Sequence, residues 1–270
     1  GIILSGTINY VNTKQKSPTS GASAFNDYFG GGGGSIYSRL FYLPRNFDLN
    51  NLPWENPADG SNIFYRALDN PIWIANNNFY ESDVNRIYGN LTASYDISEG
   101  INILLKGGIN TYHEARRNNV RSGGISNPDG YVSTVDLNNS EKDFTALLSI
   151  DKTLTDNISL KGTFGFNANE RKLTGRGVTG NTIISTGLNV TNATSTQIVD
   201  TDFTRKRRIY GYFADLSFGY KDYLFFNLVG RNDVSSTLPI GANSYFYPGA
   251  SISLMVNELV TLPDFFDSLK

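Results

Sequence analysis

Cysteine is absent from the 270 residues, which excludes disulfides, thiolate metal sites and a cysteine nucleophile while leaving an oxidising compartment open. Histidine is nearly absent as well. His113 is the single copy, so metal sites built from several imidazoles are excluded, and a Ser-His-Asp centre would have to use it. No nucleophile elbow surrounds His113, and the pair Asp200 and Asp202 is not marked as a glycosidase pair by spacing alone. No apolar run approaches the roughly 18 residues of a membrane helix, so any crossing of a bilayer has to be made by strands. Charge of one sign is missing too: a net charge of −2 argues against a nucleic-acid binder. The run 30–34 is five glycines, yet no strand–loop–helix with Lys-Ser/Thr follows it, so it reads as a mobile loop tip and not as a phosphate cradle. No metal or other cofactor is expected, and an enzyme is not.

What the sequence has in abundance is a period of two. From 157 to 169 the even positions read Ile158, Leu160, Gly162, Phe164, Phe166 and Ala168, while the odd ones read Asn157, Ser159, Lys161, Thr163, Gly165, Asn167 and Asn169. Such alternation places one set on each face of a strand. It recurs over 2–12, 86–96, 143–151, 208–220, 224–234 and 246–256, with a noisier copy at 101–112, giving eight strands. Each is near the roughly 9–11 residues that a tilted strand needs to cross a bilayer. A soluble sandwich would hide the apolar set in a core. A transmembrane barrel turns it out to lipid and lines a wet lumen with the polar set.

The connections favour the barrel. Residues 98–100, 155–157 and 221–222 are tight polar turns, whereas 14–83, 114–140 and 172–205 are long, with a shorter segment at 235–244. Compact soluble domains seldom carry several structureless connections beyond about 12–15 residues. Outer-membrane barrels combine short periplasmic turns with long outer loops. The fold class expected is all-β: a transmembrane antiparallel β-barrel segment with long extracellular loops. The chain opens inside a strand pattern and stops without a closing aromatic, so it is expected to be an internal piece of a larger barrel.

Residues 212–258 read YFADLSFGYKDYLFFNLVGRNDVSSTLPIGANSYFYPGASISLMVNE. This run, with Asn70-Pro71-Ile72-Trp73, Asn85-Arg86-Ile87-Tyr88-Gly89-Asn90 and Leu43-Pro44-Arg45 before Asp48, resembles the barrel of SusC/RagA-type TonB-dependent transporters of Bacteroidetes outer membranes. Val234 departs from the tryptophan that often follows Arg-Asn-Asp in that family, which touches only a local aromatic contact. The resemblance implies a barrel of roughly 22 strands around a plug, of which this chain supplies about eight. It places residues 1–270 in the barrel domain, with the plug domain, signal peptide and closing strands outside it. It also implies a multi-pass barrel in the cell outer membrane that imports oligosaccharides or oligopeptides. The implied partners are a SusD-like surface lipoprotein and, through parts absent here, the TonB complex. An adhesin or assembly barrel without transport is the alternative, and a barrel hydrolase using His113 a more distant one.

Candidate site residues follow. Arg231 and Asp233 share the lumen-side parity, and are read either as a contact to substrate or plug or as a charge ladder in the wall. Trp54, Trp73 and Tyr42 lie in the longest connection, with Tyr37 and Phe41, and offer aromatic platforms for sugars or peptide side chains unless they hold that connection together. Tyr10, Tyr210 and Tyr212 are expected in an outer aromatic girdle, with Tyr95 and Tyr220 in an inner one. Basic residues crowd the outer side: Lys14, Lys16, Arg116, Arg117, Arg121, Arg171, Lys172, Arg176, Arg205, Lys206, Arg207 and Arg208 are 12 of the 23 Lys and Arg. Lys206 and Arg208 share the lipid-side parity, and are expected either to meet lipopolysaccharide phosphates or to pair with acids such as Asp200, Asp202 and Glu170.

Overall fold

The computed structural model describes residues 1–18, 36–41, 43–64, 68–221 and 223–256. Its eight strands are β1 (Ile2–Pro18), β2 (Phe79–Ser98), β3 (Ile101–Val120), β4 (Tyr131–Thr155), β5 (Ile158–Ile183), β6 (Thr194–Tyr220), β7 (Leu224–Ser235) and β8 (Ser244–Leu254). Two short helices, α1 (Ile36–Phe41) and α2 (Pro71–Asn77), lie between β1 and β2. The strands form one antiparallel sheet in chain order, each pairing with its sequence neighbours. No second sheet stacks on it among the described residues, which disposes of the sandwich.

The period of two becomes two chemically different faces. Ala168 lies opposite Phe144 on one side and Tyr210 on the other, and Phe166 opposite Ala146 and Tyr212. Gly162 faces Leu216, Leu216 faces Leu228, and Phe218 faces Phe226, so Phe164, Phe166, Leu216, Phe218, Leu224 and Phe226 share one face. That face is uncovered: Phe164 is 42% exposed and Ile252 72%. Exposure of so much contiguous apolar surface fits a sheet whose solvent on that side is lipid. The band has the depth of a bilayer. It occupies residues 2–10 of β1, 87–95 of β2, 158–168 of β5 and 210–220 of β6, which matches the roughly 9–11 residues of a tilted crossing. Tyr10, Tyr210 and Tyr212 stand towards one border of the band, Tyr95 and Tyr220 at the other.

The strands do not stop at that border, and this corrects the expected loops. Most of 114–140 is the top of β3 and β4, and most of 172–205 is the top of β5 and β6. β4, β5 and β6 run for 25, 26 and 27 residues, more than twice the crossing length. The links that remain at this edge are 121–130, 184–193 and 236–243, with 19–78 between β1 and β2. The other edge carries three tight turns: Gly100 adopts φ +69° between β2 and β3, and Lys221, at φ 48°, follows β6. Asp96, Asp151 and Lys152 lie on strands close to those turns, and Asp222 is outside the described residues. The pair Asp200 and Asp202 is likewise on a strand: Gly177 faces Thr201 but Val178 faces Val199, which leaves Asp200 as an extra, bulged residue of β6.

Candidate functional site

Within the connection between β1 and β2, residues 43–64 and 68–78 fold into a cap on the extended hairpins. Asn70 starts α2: its side-chain oxygen accepts from Ile72 N at 2.9 Å, and Pro71 occupies the first turn, where a missing N–H costs nothing. Its backbone N–H donates to Asn62 Oδ1 at 2.6 Å and its side-chain amide to Ile63 O at 3.1 Å. The Asp69 carboxylate accepts from Ile125 N and Ser126 N, which ties the 121–130 link down onto α2. Asn78 accepts from Arg121 N and Asn119 donates to Asn77 O. Trp73, Ile74, Val120 and Val132 are the buried apolar residues at this joint.

The two tryptophans end in different situations. Trp73 is 0% exposed, and its indole N–H donates to Gly60 O at 3.0 Å. Its ring is spent on the joint and has no free face for a ligand. Trp54 is half-buried at a cavity of about 690 Å³ whose walls include Glu55, Asn56, Asp59, Gly60, Arg121 and Thr186. Arg121 donates to Glu55 Oε1 at 2.8 Å and to Asn77 Oδ1 at 2.6 Å. Gly60 is essential to this packing: it adopts φ +74°, and a Cβ there would stand 1.9 Å from Arg121 Nη2. Hydrogen bonds from the backbone and hydroxyl of Ser61 hold the Asp59 carboxyl below the usual carboxylate range, so it is an anion at the mouth. Tyr42 and the 30–34 glycines lie outside the described residues, and Phe41 is exposed on α1.

Arg231 and Asp233 come together on the polar face. They are two residues apart on β7, and the guanidinium grips the carboxylate with Nη2 at 2.7 Å and Nε at 2.9 Å. Nη2 also reaches across β6 to Asn167 Oδ1 at 2.9 Å. The pairing is therefore within a strand and not the cross-strand ladder expected of a wall. Two glycines make room for it. A Cβ on Gly211 would meet Asp233 Oδ1 at 2.3 Å, and one on Gly165 would meet the Phe213 ring, over which Arg231 lies at 5.4 Å. The same device recurs higher on this face, where Phe203 lies over Gly175 and Arg205 over Phe203 at 4.8 Å. Sequence reading missed Asn167, Phe213 and these glycines; the signal was there as glycine at polar-face positions, but only the pairing shows which aromatic fills each gap.

On the apolar side, Lys206 and Arg208 both reach Glu170, at 3.1 and 2.5 Å. His113 sits on β3 with Nε2 3.3 Å from Asp136 and without an adjoining nucleophile. Among the described residues no cluster of His, Asp and Glu could hold a metal.

No protein-family model and no curated protein sequence matches the chain. Among solved structures it matches the RagAB peptide importer in the open-open state, with a TM-score of 0.71 and 13% identity over 97% of this chain and 29% of that one. It also matches the RagAB peptide transporter, with a TM-score of 0.65 and 13% identity over 75% of this chain and 23% of that one. The chain thus spans less than a third of the structures it matches. Its eight-stranded antiparallel sheet shares the fold of a segment of the RagAB peptide importer.

Proposed function

We propose that the chain forms part of the barrel wall and outer vestibule of an outer-membrane, TonB-dependent transporter that imports oligosaccharides or oligopeptides. The observation that carries this is the uncovered apolar band of bilayer depth on a sheet whose hairpins rise far beyond it on one side only. Substrate enters from the side of the long hairpins, where Trp54, Asp59 and Asn56 line the cap cavity with one aromatic surface and several polar groups, a composition suited to sugars and peptides. The polar face then lines the route inward, with Arg231 and Asp233 as a fixed charge pair facing substrate or plug. Residues 1–270 belong to the barrel domain, and the plug and the contact with the TonB complex lie outside them. A SusD-like lipoprotein closes the outer mouth against the cap, in the way that the RagAB pairing suggests.

The test is growth. A strain lacking the full gene is supplied with single glycans or defined peptides as the sole source, with and without the gene restored. Restoration-dependent growth on at least one of these nutrients is expected. Equal growth of both strains on all of them, with the protein verified in the outer membrane, leaves the barrel without an import role.

A further inference from the structure

The outer border of the apolar band carries a group of cations that the import reading does not use. In register across β4, β5 and β6, Lys142 faces Glu170, Glu170 faces Arg208, and Lys172 faces Lys206. All five share the face of Phe144, Ala168 and Tyr210, with Lys142, Glu170 and Arg208 one step beyond these residues and Lys172 and Lys206 two. Four cations thus meet one carboxylate. Glu170 is already shared by Lys206 and Arg208, while Lys142 and Lys172 are exposed and without an acidic partner among the described residues. Like charges directly opposite one another, as Lys172 and Lys206 are, destabilise a sheet unless an anion lies between them.

The surface below is shaped to continue such a ligand. A groove of about 280 Å³, its surface mostly apolar, runs between Lys142, Phe144, Ala168, Glu170, Arg208 and Tyr210. Directly beneath it a second hollow of about 510 Å³ is walled by Leu105, Ala146, Leu148, Phe164, Phe166 and Tyr212. Alanines at 146 and 168 stand beside the rings of Phe144, Phe166 and Tyr212, which pack against one another with centroids 6.3 and 5.0 Å apart in turn. A cationic rim above an apolar trough, at the border of the apolar band, fits a phosphorylated lipid.

We propose that this face binds lipopolysaccharide of the outer leaflet, its phosphates held by Lys142, Lys172, Lys206 and Arg208 and an acyl chain lying in the trough. The charge separation along one chain orients the ligand, and Glu170 keeps the guanidinium and ammonium groups aimed at the rim. The site rests on the outer-membrane reading and on the orientation that goes with it.

The experiment uses the full-length protein purified from outer membranes in detergent. Binding of purified lipopolysaccharide, of the same lipid after phosphatase treatment and of phosphatidylglycerol is measured by native mass spectrometry. The double variant Lys142→Gln/Lys172→Gln should bind lipopolysaccharide roughly tenfold more weakly. Lys106→Gln, on the opposite face of β3, should bind as the parent does. The parent should lose a comparable share of its binding to the dephosphorylated lipid. Retained folding of the double variant is read as unchanged heat modifiability on gels. Equal lipopolysaccharide binding by parent and double variant overturns the site, as does equal binding of phosphatidylglycerol by the parent. Fractionation with the inner membrane would instead overturn the outer-membrane reading, and is scored separately.

Discussion

Trp54 and Trp73 occupy the same connection and look alike as ligand platforms in sequence, yet folding uses them differently. Asn70-Pro71 fixes the first turn of α2, and that turn aims Trp73 inward against Gly60 and Gly124; a Cβ on Gly124 would stand 3.1 Å from the ring. Trp73→Ala removes the largest buried side chain of the joint, at an expected cost of about 3–5 kcal/mol to the docking of the cap. Limited proteolysis should then cut within 43–78 while the heat-resistant barrel band on gels is unchanged. A cap as protease-resistant as the parent's would mean that the joint does not depend on Trp73. The N-cap and proline were legible as a helix start from residue types alone. The burial of Trp73 was not, because it depends on Gly60 and Gly124, which come from two other places in the chain.

At the scale of elements, the crossing part of each strand was legible and its upper part was not. Where one face meets lipid and the other a wet lumen, side chains alternate, and the period of two is visible in one dimension. Above the border both faces are wet. The alternation then vanishes into stretches such as Arg116-Arg117-Asn118-Asn119 and Arg205-Lys206-Arg207-Arg208, although these residues remain in register with their neighbours. Such a stretch has the composition of a loop and the hydrogen bonding of a strand, so the long connections were overestimated. The contrast gives a paired prediction. Phe166→Arg places a guanidinium on the lipid face and should cost roughly 2–4 kcal/mol in reversible urea unfolding from lipid vesicles. Thr163→Arg, on the polar face opposite Asp215, should cost far less. Equal losses would show that the two faces are not wetted differently.

For the whole molecule, the sheet order follows from sequential hairpins and was legible, but direction across the membrane is a separate matter that rests on the asymmetry of the two edges. Three tight turns at one edge and tall hairpins with a folded cap at the other match the inner and outer sides of an outer-membrane barrel. The chain contains no cysteine, so introduced ones give a clean reading. Asn157→Cys stands in the tight turn between β4 and β5, and Ser185→Cys in the exposed link between β5 and β6. Gly180 is unsuited as an outer reporter because it is buried in β5, with Thr194 Oγ1 2.3 Å from where its Cβ would be. In intact cells a membrane-impermeant maleimide should label Ser185→Cys and spare Asn157→Cys, and both should react after disruption of the outer membrane. Labelling of Asn157→Cys alone would invert the barrel. Inversion would move Lys142, Lys172, Lys206 and Arg208 to the periplasmic leaflet, where phospholipid replaces lipopolysaccharide, so the same two cysteines also decide which lipid the cationic rim can meet.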